Sequence, residues 1–191
     1  MGRFISETRA ISILSGIRER LRERLISDHE HKAKSCTECP EKGACCTDRH
    51  FVNVRITRLE AIAICRVIAE LEHELREKVT QRISDAARML PLSGGFYGCP
   101  LFEKDIGCLV HRTAKPLPCI FHACYENFED LPPHALLDDA EDALRKLNKR
   151  VYGSEPIAAS IPAALAARMH SISNAANGRR EPSSDKASVQ K

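Results

Sequence analysis

Residues 36–65 read CTECPEKGACCTDRHFVNVRITRLEAIAIC, and the succession of residue types along this stretch sets the architecture. From Cys36 to Cys46 it places Cys36, Cys39, Cys45 and Cys46 around Pro40 and Gly43, the composition of a loop wrapped round something rather than of a packed element. Phe51-Val52-Asn53-Val54-Arg55-Ile56 then alternates with period two, which predicts a short strand with one buried face. Thr57-Arg58-Leu59-Glu60 follows in capping-box form, with Thr accepting from the third backbone N–H and Glu bonding back, so a helix starts there. Cys65, in the middle of that helix among Ile and Ala, reads as a buried structural thiol.

Outward from this stretch the chain is helical. On the N-terminal side Leu14, Ile17, Leu21 and Leu25 recur at spacings of three and four, an amphipathic helix within Phe4–His31. Its alternating Arg and Glu between Arg18 and Arg24 read as a solvated face laced with i,i+4 pairs. On the C-terminal side the helix begun at Thr57 continues, whole or as two helices, through Leu71, Leu75, Val79 and Ile83 until Pro91 stops it. Ser93 to Cys124 is rich in Gly, Pro and Cys, with Glu103 to Gly107 turning a hairpin between two short apolar runs. After Pro132-Pro133 comes an amphipathic helix through Leu144 and Leu147 to Val151, then an Ala-rich helix from Ile161 or Pro162 to about His170. The expected fold is therefore mainly α with small irregular β, a helical framework around a metal-stapled, cysteine-rich loop core. Its parts are an N-terminal helix over 1–34, a cysteine-cluster metal-binding domain over 35–130, C-terminal helices over 131–172 that pack on it, and a disordered tail over 173–191.

A chain of 191 residues is one domain's worth, and Lys and Arg exceed Asp and Glu by only 3 charges, too few for a field that recruits nucleic acid. No stretch has the length of a membrane span, and no signal-peptide h-region precedes Arg18, which predicts a cytoplasmic protein without a membrane partner. All nine cysteines lie between Cys36 and Cys124. In a reducing compartment such clusters serve as metal ligands more often than as disulfides.

Setting Cys65 aside leaves Cys36, Cys39, Cys45, Cys46, Cys99, Cys108, Cys119 and Cys124 as candidate ligands. Soft thiolates suit zinc, cuprous copper and iron–sulphur clusters, and Cys36-x-x-Cys39 lets one tight loop offer two sulphurs to a single ion. Adjacent Cys45 and Cys46 point different ways, so two neighbouring metals, or one ligand and one supporting thiol, are the natural readings. Two four-cysteine sites, one four-cysteine cluster and a bridged binuclear arrangement all satisfy the spacing. His50 or His122 could replace a thiolate, and His111 or His122 could act as acid or base at an open metal.

The run Cys36-Thr37-Glu38-Cys39, Cys45-Cys46, Cys99-Pro100-Leu101-Phe102, Gly107-Cys108 and Lys115-Pro116-Leu117-Pro118-Cys119 resembles the YkgJ-like cysteine-cluster family, over residues 36 to about 124. The resemblance implies a CxxCxxCC-type domain chelating zinc or iron. Where that family has a Tyr and an Arg-Pro, His111 and Lys115-Pro116 stand here, with one more residue in the spacer. Flagellin lysine methylases contain related clusters, but this shorter chain has no glycine-rich strand-to-helix fingerprint for a methyl donor, and methylation does not transfer. The expectation is a cytoplasmic protein chelating zinc or iron through thiolates. Its alternatives are an iron or iron–sulphur redox or modification enzyme, or its accessory protein, and a zinc-stabilised interaction module binding protein or nucleic acid.

Overall fold

The computed structural model describes residues 4–34, 41, 43–46, 54–93 and 97–177, side chains excepted from 171 onward. Helix α1 spans Glu7–Asp28, begun by Ser6, whose hydroxyl accepts from the Arg9 N–H. Its stripe of Ala10, Leu14, Ile17, Leu21 and Leu25 is buried. This face lies along α5 (Ala135–Tyr152), whose own stripe is Leu136, Leu137, Ala140, Leu144 and Leu147. Full burial of each Leu or Ile side chain contributes about 1.5–3 kcal/mol, which makes this helix pair a main beam of the fold. Gly153, at φ 76, ends α5 in the left-handed conformation that glycine adopts without a Cβ clash.

Helix α2 (Arg58–Ala69) is buried without interruption from Leu59 to Ile64, so its first turns are enclosed on all sides, while Arg66 and Ala69 near its end are exposed. The capping box at its start is present: Thr57 accepts from Glu60 and the Glu60 carboxylate accepts the Thr57 N–H at 2.9 Å. The helical pattern after Thr57 divides in two, because the Glu70 and Leu71 amides bond three residues back to Val67 and Ile68 and tighten the last turn. Helix α3 (His73–Met89) then runs up to Pro91.

Two strand pairs complete the architecture. Strand β1 (Arg55–Ile56) pairs antiparallel with β4 (Ala159–Ser160), and β2 (Phe102–Glu103) pairs with β3 (Gly107–Cys108). The first comprises only the last two residues of the strand expected from Phe51; residues 51–53 lie outside the described ones. Between them is α4 (Leu117–Phe121), and the chain ends in α6 (Ile161–Asn177), which packs against α2 and α3. Helix α6 passes His170 and enters the segment expected to be a tail from Ser173, where Ala175 and Ala176 favour helix; residues 178–191 lie outside the described ones.

One reading of α1 is corrected. Glu19, Arg20, Glu23 and Arg24 are exposed as expected, but Arg18 is only 1% exposed and Arg22 half-buried. Arg18 stands one turn after Leu14 and just short of one before Leu21, on the apolar stripe itself.

Candidate metal centre

Four pieces of chain bring cysteines toward one place. Cys45 and Cys46 lie in a 3₁₀ turn over Ala44–Cys46, closed by the Cys46 N–H donating to Gly43 O at 2.8 Å. The Cys46 carbonyl accepts the Cys99 N–H at 2.7 Å, which joins the first cysteine loop to the second. Cys99 leads into the β2–β3 hairpin, where Cys108 is in register with Phe102. Gly43, at φ 86, lies under the Phe102 ring so closely that a Cβ there would penetrate the ring. Cys119 sits on α4, and its thiol is electrostatically coupled to Cys99 and Cys108.

The approach to Cys99 is fixed by Tyr97, whose hydroxyl donates to Val54 O at 2.9 Å and accepts the Ile161 N–H at 3.3 Å. The hairpin is fixed to α3: Arg82 donates to Phe102 O at 2.6 Å, and Glu103 is bound by Lys78 and Arg82, each at 2.7 Å. Asp105, at φ 69, and Gly107, at φ 94, make its tight turn. The Cys119 segment is fixed from the other side. Its helix opens after Pro116, with Pro118 in the first turn, and the free Leu117 N–H donates to Glu60 Oε1 at 3.3 Å.

The surroundings of Cys46, Cys99, Cys108 and Cys119 push each thiol above the ordinary cysteine value. The hydrogen bond that the Cys46 thiol donates to Cys45 raises Cys46 most, with burial adding to it. Burial raises Cys108, lifts Cys99 to about 11 and, with Cys99 nearby, lifts Cys119 to about 12. Opposing this, the Leu101 N–H hydrogen-bonds the Cys99 sulphur and the Val110 N–H the Cys108 sulphur, each two residues on. Arg82 acts on Cys99, and Lys115 on Cys108 and Cys119, in the same sense. Backbone N–H groups bonded to sulphur and nearby cations favour the thiolate form, the form in which a cysteine binds a thiophilic cation. Metal uptake here would displace protons.

The remaining expected ligands are distributed differently. Cys124 is exposed, and its carbonyl accepts the Lys34 N–H at 2.7 Å. Cys36, Cys39 and His50 lie outside the described residues. His111 is exposed beyond β3, its pKa lowered by burial and then by Lys115, and His122 is half-buried at the end of α4. Cys65 lies on α2 against the core, raised by burial, with Arg168 as its charged neighbour. All seven described cysteines are free of disulfides. Among the described residues no three His, Cys, Asp or Glu side chains stand in a metal-holding arrangement. A cleft of about 360 Å³ beside α4, lined by Arg55, Glu60, Pro118 and Glu141 among others, includes no cysteine.

Sequence reasoning missed Arg18, Arg22 and the reach of Glu60 to α4. For Arg18 the signal was its place on the apolar stripe; for the Glu60–Leu117 bond, 57 residues apart, there was none. Comparison with known proteins finds no matching family, no matching curated protein and no matching solved structure. No described helix is long and apolar enough to cross a membrane.

Proposed function

We propose that this is a cytoplasmic metal-binding protein that chelates zinc or iron through cysteine thiolates, drawn from Cys36, Cys39, Cys45, Cys46, Cys99, Cys108, Cys119 and Cys124. The observation that carries this reading is the joining of the Cys46 and Cys99 backbones at 2.7 Å beside Cys108 and Cys119, with N–H groups directed at two of the sulphurs. The resemblance to the YkgJ-like family points to the same chemistry. Bound metal would fasten the loops to the helical frame and contribute folding free energy directly.

The test is elemental analysis and an absorption spectrum of the full chain isolated without oxygen. Stoichiometric zinc in a colourless protein, or iron in a brown one, supports chelation and decides between the metals. Cys108→Ser reduces bound metal and Cys65→Ser does not. A chain without metal that also takes up none when reduced and supplied with zinc or ferrous iron would end the proposal.

A further inference from the structure

Between Cys108 and Cys119 the chain spans residues 109–118 with no strand or helix before Leu117, yet it is gripped at three points. Arg22 donates to His111 O at 2.9 Å, Arg18 donates to Ala114 O at 3.3 Å, and Glu60 accepts the Leu117 N–H at 3.3 Å. The two arginines are about one turn apart on α1, a pitch of about 5.4 Å, and they take two carbonyls three residues apart in the loop. The Glu60 carboxylate cannot swing away: it is 2% exposed and its other oxygen holds the Thr57 N–H and hydroxyl.

Apolar residues would fill the same space at lower desolvation cost, so buried charges here are poorly explained by stability alone. They define register. A slip of one residue in this connection would move Cys119 by about 3.3 Å, far beyond the tolerance of about 0.2 Å on a metal–sulphur bond. We infer that Arg18, Arg22 and Glu60 are positioning residues that set where Cys108 and Cys119 stand relative to each other at the thiolate site. The inference rests on the metal-binding reading and adds to it a set of residues that touch no metal.

The experiment is titration of the reduced, oxygen-free full chain with cobalt(II), reading affinity and the sulphur-to-cobalt charge-transfer absorption. Arg22→Ala removes the contact to His111 and an i,i+3 ion pair with the exposed Glu19, and leaves the melting temperature of the metal-free chain nearly unchanged, yet weakens cobalt binding about tenfold, as loss of a ligand-supporting partner does. Glu60→Ala weakens it further, and where Cys119 leaves a four-thiolate site the absorption per bound cobalt falls by about a quarter. Glu60→Gln, which still accepts one N–H, recovers part of the loss. If Glu60→Ala does not fold, Arg22→Ala and Glu60→Gln carry the test. Wild-type affinity and spectrum in both would overturn the inference while leaving metal binding intact. A wild-type chain that binds no cobalt overturns the metal-binding reading, and the positioning role with it.

Discussion

The two arms that carry cysteines beyond α3 are fastened in opposite ways. The β2–β3 hairpin, with Cys99 and Cys108, is held nearer the surface: Lys78 and Arg82, whose side chains are 56% and 30% exposed, reach in from solvent to bind Glu103, whose side chain is 12% exposed. The Cys119 arm is held from within by Glu60, by Arg18 and, one layer further, by Asn148 of α5. Asn148 is fully buried and satisfied: it accepts the Leu59 N–H at 3.3 Å and donates to Thr57 Oγ1 at 3.2 Å and Leu144 O at 2.9 Å. A surface ion pair is screened by salt and tolerates the loss of a partner, since water takes its place. A buried polar group has no such substitute, and its removal strands every group that faced it. The hairpin can therefore be loosened without disturbing the core, whereas the Cys119 arm is continuous with the core.

Glu60→Ala tests the interior side most severely. It strands the Leu117 and Thr57 N–H groups and removes the nearest counter-charge of Arg18, whose pKa burial already lowers to about 10. The expected loss is about 3 kcal/mol in urea unfolding, and a loss below about 1 kcal/mol would show that water reaches the site. Asn148→Ala comes next at about 2 kcal/mol, because the α2 N-terminus loses the acceptor of its Leu59 N–H. On the hairpin side, Gly43→Ala drives a Cβ into the Phe102 ring at a left-handed φ, so the Cys45–Cys46 turn must move off the hairpin. The expected outcome is metal binding about tenfold weaker, equivalent to about 1.4 kcal/mol, with the core's melting unchanged. An equal loss of core stability would erase the distinction between the arms.

Local order was legible where one segment contains its own cause. The three-and-four spacing of Leu14 to Leu25 specifies α1, Thr57 with Glu60 specifies the start of α2, and the turn before Gly107 specifies the hairpin. The division between α2 and α3 was less legible, because no Pro or Gly marks it and the tightening bonds at Glu70 and Leu71 are backbone only. At the site, the cysteines announced themselves by residue type, but no spacing says that the Cys46 carbonyl meets the Cys99 N–H. Arg18 misled because charge at the surface and charge on an apolar stripe look alike in a count and differ only in phase. The partners that hold Cys119 come from α1 and α2, and periodicity within either helix carries no information about a loop far along the chain.

The smallest expected effect gives the cleanest contrast, since the two anchoring carboxylates should respond to acid with opposite sign. Hydrogen bonding from Lys78, assisted by Arg82, holds the Glu103 carboxyl below its ordinary 4.5. Its stabilisation is therefore present above 4.5 and is lost as the pH falls through the folded value. Burial raises Glu60 above 4.5, outweighing the N–H groups and Arg18 that favour its charge. As the pH rises past 4.5 the unfolded chain ionises first, so stability from Glu60 declines up to the folded value and is constant beyond it. Subtracting the pH–stability profile of Glu60→Gln from that of the wild type should leave a component that grows on acidification; the same subtraction for Glu103→Gln should leave one that shrinks. High salt should flatten the Glu103 component and spare that of Glu60, because ions screen the rim and do not enter the core. Components of the same sign, or of equal salt sensitivity, would mean that both carboxylates experience one kind of environment and that the two arms are held alike.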